Sequence, residues 1–204
     1  MAFLSELDWP AFLLAMFVIE LTPGPNMGWL AMLSAQHGPR IGFMAVFGIT
    51  LGLAIQVVAA ATGGAALISG MPFLFDSLRW AGVAFMLWLA WLAYAETGSA
   101  TPVSGLAEKG FRRGLIANLL NPKALVFYVV VVGQFTNHEV GALWMQILVL
   151  GGFHLAIATT VHVAIVGFGA TAGENFENWR TSLIARLVFS LCLVAIAVWI
   201  ALST

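Results

Sequence analysis

Six long apolar stretches govern what this 204-residue chain can fold into. They lie near 9–35, 41–69, 72–95, 114–136, 142–169 and 183–202, and each reaches the ~20 residues that a helix needs to cross the hydrocarbon of a bilayer. Lipid offers the backbone no hydrogen-bond partners, so these stretches have to be helices and not open strands. Composition agrees: hydrophobic residues make up 61% of the chain and charged residues 8%, whereas a soluble domain is ~45–50% apolar. The expected fold is an all-α membrane protein of six transmembrane helices, seated among membrane lipids. The first stretch is too long for a signal peptide and is preceded by Glu6 and Asp8, not by a basic segment.

The charges exclude some partners and suggest an orientation. A net charge of −1 leaves no basic footprint for nucleic acid. The single cysteine, Cys192, excludes an intramolecular disulfide and any CxxC motif. With six spans, the loops after spans 1, 3 and 5 share one side. They carry Arg40, Lys109, Arg112, Arg113 and Arg180, with Arg186 at the edge of the last span; the other side holds Arg79. Because cytoplasmic loops are enriched in Lys and Arg, both termini are expected outside and the 96–113 loop in the cytoplasm.

That polar 96–113 stretch divides the chain into residues 1–95 and 114–204, three spans each, within one integral membrane domain. Each half opens with an interrupted helix: Thr22-Pro-Gly-Pro-Asn26 in span 1 and Asn121-Pro-Lys123 in span 4. Proline removes a backbone donor and clashes with the preceding turn, so neither stretch reads as continuous helix. Broken helices 1 and 4 at corresponding places point to two three-helix repeats with a binding site near the midplane. Three is an odd number, so the second repeat is inverted. Simple proline kinks, common in membrane spans, are the alternative.

The interruptions carry chemistry. A charge at the bilayer centre costs ~2.5–3.5 kcal/mol on insertion scales, so Lys123 belongs by default to a site. Free N–H groups at the start of a half-helix attract anions, and free carbonyls at the end of one attract cations. Glu20, two residues before Thr22, adds negative charge at the first break. Together the breaks suit a zwitterion such as an α-amino acid. Glu20 and Lys123 could instead neutralise each other as a structural ion pair, or Glu20 could carry a proton, since burial disfavours a charged carboxylate. Pro23, Gly24, Pro25 and Pro122 shape the breaks. Thr22, Asn26, Asn118 and Asn121 either contact substrate or satisfy the freed backbone groups.

Span 5 holds His154 and His162, eight residues apart; they are a proton relay or satisfied core histidines, and their spacing builds no metal site. Gln56 is a further intramembrane polar group without an assigned partner. Gly48 and Gly52 form a GxxxG pattern, which favours close packing inside the bundle over a homodimer interface. No Ser-His-Asp set, HExxH or GxxxxGK[ST] motif is present, so neither an enzyme nor an ATP-driven pump is expected, and no cofactor is called for.

Thr22-Pro-Gly-Pro-Asn26, Gly48 and Gly52, and Gly110-Phe-Arg-Arg-Gly-Leu-Ile-Ala-Asn-Leu-Leu-Asn-Pro-Lys-Ala124 with Phe127 and Gln134-Phe135 resemble the LysE/RhtB family of amino-acid exporters over nearly the whole chain. The resemblance implies a bacterial inner-membrane transporter that moves amino acids or close derivatives outward, driven by the proton motive force. Pro23, Gly24, Pro25, Asn26, Asn121, Pro122 and Lys123 match its hallmark positions. Many relatives carry an acid just after the glycine that Gly52 matches; here that neighbour is Leu53, and Glu20 stands where the family is often apolar. An acidic partner moved from span 2 to span 1 would account for both. The leading expectation is export of a small zwitterion by alternating access of two inverted halves. The alternative is a metal-ion or other small-cation exporter or channel using Glu20, His154 and His162.

Overall fold

The computed structural model describes residues 5–22, 24–64, 71–95, 103–121, 123–124, 127–128, 134–175 and 183–203. Among them every regular element is helical: α1 (Trp9–Leu21), α2 (Pro25–His37), α3 (Pro39–Ala61), α4 (Pro72–Ala95), α5 (Val103–Leu119), α6 (Leu143–Asn175) and α7 (Leu183–Ser203), with a 3-10 turn at His138–Val140. Three helical stretches, Pro39–Ala61, Asp76–Ala95 and Leu143–Gly173, are long and apolar enough to cross a membrane; Trp9–Leu21 and Arg186–Leu202 are shorter apolar helices. The 33 residues of α6 reach ~50 Å at 1.5 Å per residue, well beyond a hydrocarbon core of ~30 Å.

Polarity is inside out. Phe73, Phe168 and Leu202 are 85%, 78% and 83% exposed, while Glu20, Asn26, Gln56, Asn118, Asn121, His154 and His162 are all buried. Apolar side chains cover the outside as lipid requires, and polar ones converge within.

The first break has local causes. Asp8 accepts from Ala11 N–H and starts α1. Thr22, which precedes a proline in sequence, has extended backbone and ends the helix. Gly24 is also extended and caps α2, whose first residue, Pro25, has no N–H to leave unsatisfied. Only Gly38 separates α2 from α3. Its φ of +83° lies in the left-handed region that glycine enters without a Cβ clash. At the second break α5 ends at Leu119, and the Asn121 side chain accepts from Lys123 N–H at 3.0 Å to restart the chain. Both expected interruptions are therefore present. Pro23 and Pro122 lie outside the described residues.

One expectation needs correcting. Residues 103–113 are not loop but the first part of α5. Their charges read as linker, yet Glu108, Lys109 and Arg112 occupy the exposed side of a helix, with Glu108 and Arg112 one turn apart at 3.9 Å. Gly110 and Gly114 occupy its buried side.

Those glycines explain how the helices approach. A Cβ on Gly48 would strike Phe111 O, and one on Gly114 would strike Ala45 O, so α3 and α5 meet backbone to backbone. A Cβ on Gly169 would lie 2.6 Å from Ala31 O, and one on Gly173 would strike Ala35 O, which joins α6 to α2 in the same way. The Gly48/Gly52 pattern thus seats α5 and is not a free face for a second copy. A Thr50–Thr159 hydrogen bond at 3.0 Å links α3 to α6, and α4 packs along α7.

Candidate functional site

The two breaks face each other. Lys123 Nζ donates to Thr22 O at 2.9 Å, so the lysine caps the carbonyl end of α1, where the helix dipole favours a cation. Its stem runs along Gly24, where a Cβ would lie 3.2 Å from Lys123 Cδ. The Thr22 hydroxyl is engaged by its own helix, donating to Val18 O at 2.6 Å.

Glu20 is 5% exposed and does not pair directly with Lys123. Its Oε1 meets His154 Nε2 at 3.0 Å, and His154 Nδ1 meets Tyr128 OH at 2.9 Å. The ring of Phe127 lies 3.9 Å from the His154 ring, centroid to centroid. Phe127 and Tyr128 sit in a wide π-type turn just past the second break, a local widening that recurs at functional sites. Tyr128 was not among the residues expected from sequence. Its only signal is a hydroxyl inside the apolar run Leu125 to Val132.

A third group is built of amides. Gln56 Nε2 donates to Asn118 O at 3.2 Å, a carbonyl in the last turn of α5 that also accepts from Asn121 N–H at 3.0 Å. Asn118 Nδ2 donates to Gln56 Oε1 at 3.2 Å, and Asn26 Nδ2 donates to Asn118 Oδ1 at 3.0 Å. Gln56, unassigned from sequence, therefore ties α3 to the end of α5, and Asn26 ties in α2. Two buried atoms of this region, Asn26 Oδ1 and His162 Nδ1, have no hydrogen-bond partner. A buried polar atom left unpaired costs ~1–3 kcal/mol.

Members of all three groups border one cavity of about 20 Å³, lined by Ile19, Glu20, Gly24, Asn26, Met27, Leu53, Asn118, Asn121, Lys123, Ala124, His154, Ala158 and His162; Gln56, Phe127 and Tyr128 lie behind that lining. A space of that size holds ~1 water and no amino acid. Thr22 and Pro25 stand beside it without lining it. Leu53 and Glu20 border the same space, so a carboxylate on α1 reaches the region that an acid at position 53 would reach. Among the described residues no three His, Cys, Asp or Glu side chains gather to hold a metal ion.

Residues 17–204 match the family of LysE type translocators. An uncharacterized membrane protein of Vibrio cholerae is 33% identical over 168 residues, 80% of this chain and 79% of its own length. A leucine efflux protein of Enterobacter is 34% identical over 140 residues, 64% of each chain. A homoserine/homoserine lactone efflux protein of Salmonella typhi is 31% identical over 177 residues, 84% of this chain and 82% of its own length. No solved structure matches the chain. With a family match that runs from α1 to the last residue, the chain belongs to the LysE type translocators and is a membrane transporter, not an enzyme.

Proposed function

We propose that this chain is a secondary active transporter that exports an amino acid, or a closely related small metabolite bearing an ammonium group, from the cytoplasm of a bacterium. The observation that carries the reading is the convergence of Lys123, Glu20 and three amides on one cavity between two helix breaks. Relatives named for efflux of leucine and of homoserine or its lactone support the cargo class. Those cargoes differ in side chain, and a lactone has no free carboxylate; the feature they share is an α-amino group.

The site residues of this reading are Glu20, Asn26, Asn118, Asn121 and Lys123, with Thr22, Gly24 and Pro25 shaping the first break and Pro23 and Pro122 completing the sequence motifs. Lys123 supplies the cation for a carboxylate. The Glu20–His154–Tyr128 chain is the route for a coupling proton, and His162 lines the same cavity. One charge crossing 100 mV supplies ~2.3 kcal/mol, a concentration ratio of roughly 40-fold when each 1.4 kcal/mol is tenfold. The cavity offers a volume too small for cargo, so transport requires a wider state, reached by alternating access. The six spans as two inverted repeats, both termini on the periplasmic side, the polar start of α5 in the cytoplasm, and the inner membrane as location belong to the same proposal.

Proteoliposomes test it. Uphill movement of labelled leucine or homoserine under an imposed proton gradient, abolished by a protonophore, is the expected result. Cells that overproduce the protein and gain metal tolerance without tolerance to toxic amino-acid analogues would favour a small-cation exporter instead.

A further inference from the structure

The amide chain has a direction, and the direction fixes what Asn26 offers. Asn118 O is a backbone carbonyl and can only accept. The Gln56 atom that meets it, 3.2 Å away, must therefore be the Nε2 donor. That leaves Gln56 Oε1 facing Asn118, whose Nδ2 donates to it, and Asn118 Oδ1 facing Asn26, whose Nδ2 donates in turn. One anchored carbonyl thus sets the rotation of three side-chain amides in series. The last atom of the series, Asn26 Oδ1, is an acceptor with no partner. Asn26 is 3% exposed and lines the cavity.

We infer that Asn26 Oδ1 is the acceptor that recognises the ammonium group of the cargo, with Asn118 and Gln56 as positioning residues that keep its oxygen, and not its NH₂, turned to the cavity. The inference rests on the amino-acid reading above. An oxygen that can only accept cannot bind a carboxylate, so it selects for the N–H end of a zwitterion. The charged side chains nearby are already engaged: Glu20 Oε1 meets His154, and Lys123 Nζ donates to Thr22 O. A neutral, pre-oriented acceptor discriminates because a ligand without the N–H leaves it buried and unpaired. It also tolerates varied side chains, since it reads only the group that all α-amino compounds share.

The test compares binding of L-leucine with that of 4-methylpentanoate, which has the same skeleton without the amine, to purified full-length protein. L-homoserine against 4-hydroxybutanoate gives the same comparison for a polar side chain. The native protein should prefer the amino compound by about 10- to 100-fold, the worth of a hydrogen bond to a charged group. In Asn26→Leu that preference should collapse while affinity for the deaminated ligand holds. In Gln56→Met, which keeps Asn26 but frees its amide to rotate, the preference should fall about three- to tenfold. Gln56→Met decides the matter if Asn26→Leu does not fold. Equal weakening of both ligands in the folded variants would overturn the inference and leave the amino-acid reading standing. Absence of amino-acid binding by the native protein would overturn both.

Discussion

A charged side chain inside a bilayer is retained only when something compensates it, and this protein compensates its two central charges separately. Lys123 takes the carbonyl end of α1 through Thr22 O, and Glu20 takes His154. Lys123→Ala removes the cation from both the helix end and the cavity. Efflux is expected to fall to background while the amount of protein in the membrane fraction is unchanged; efflux at the native rate would reduce Lys123 to scaffolding. Glu20→Gln keeps an oxygen for His154 Nε2 but cannot release a proton. Proton-driven uphill efflux should therefore drop, while exchange of labelled for unlabelled cargo across the membrane continues, as measured in the same vesicles. Equal loss of both activities would assign Glu20 to substrate binding or to folding. At this scale much of the site was legible. Lys123, Glu20, Asn26, Asn118 and Asn121 are polar groups in apolar surroundings, and their cost alone marks them. Tyr128 was not, because a tyrosine in an apolar run is ordinary until a histidine from another helix is seen to reach it. The partner of Gln56 was equally hidden, since it is a backbone carbonyl, Asn118 O, on a distant helix.

At the scale of elements, the glycines divide into those that hold a seam and those that do not. A Cβ at Gly114 strikes the backbone of Ala45, which no rotamer change relieves, whereas nothing lies within 4 Å of one at Gly152. Gly114→Val should destabilise by at least the ~1–3 kcal/mol typical of overpacking. Gly152→Ala should be neutral or stabilising by ~0.5–1 kcal/mol, the helix preference of alanine over glycine. Melting temperatures of the two purified variants check the contrast, and equal shifts would show that the seam is softer than its geometry. The sequence marked Gly48 and Gly52 as a packing stripe but not the helix that fills it. The start of α5 was misread for a physical reason: a solvated helix surface and a loop draw on the same charged residues. Gly110 and Gly114 are buried contact points against Ile41 and Ala45.

For the whole molecule, the six apolar stretches gave the helical class, since lipid permits little else. The sequence could not show how helices of the two halves pair, because nothing local encodes which distant partner a small-residue stripe meets. Orientation is open to direct measurement. With Cys192 replaced by serine, a single cysteine in place of Lys109, on the exposed side of α5, should react with a membrane-impermeant maleimide only after the cells are opened. Labelling in intact cells would reverse the proposed topology.

The seams also limit what can move. Each of the broadest contacts, α3 with α5, α2 with α6, α3 with α6 and α4 with α7, joins a helix from residues 5–95 to one from residues 103–203. The two stretches of chain are therefore laced together rather than laid side by side, and pulling them apart as blocks would strip every main interface at once. The α3–α5 and α2–α6 pairs, each seated along its glycines, are themselves tied together by the α3–α6 contact and its Thr50–Thr159 bond. Along the chain those two pairs are joined by one residue alone, Gly38, between α2 and α3.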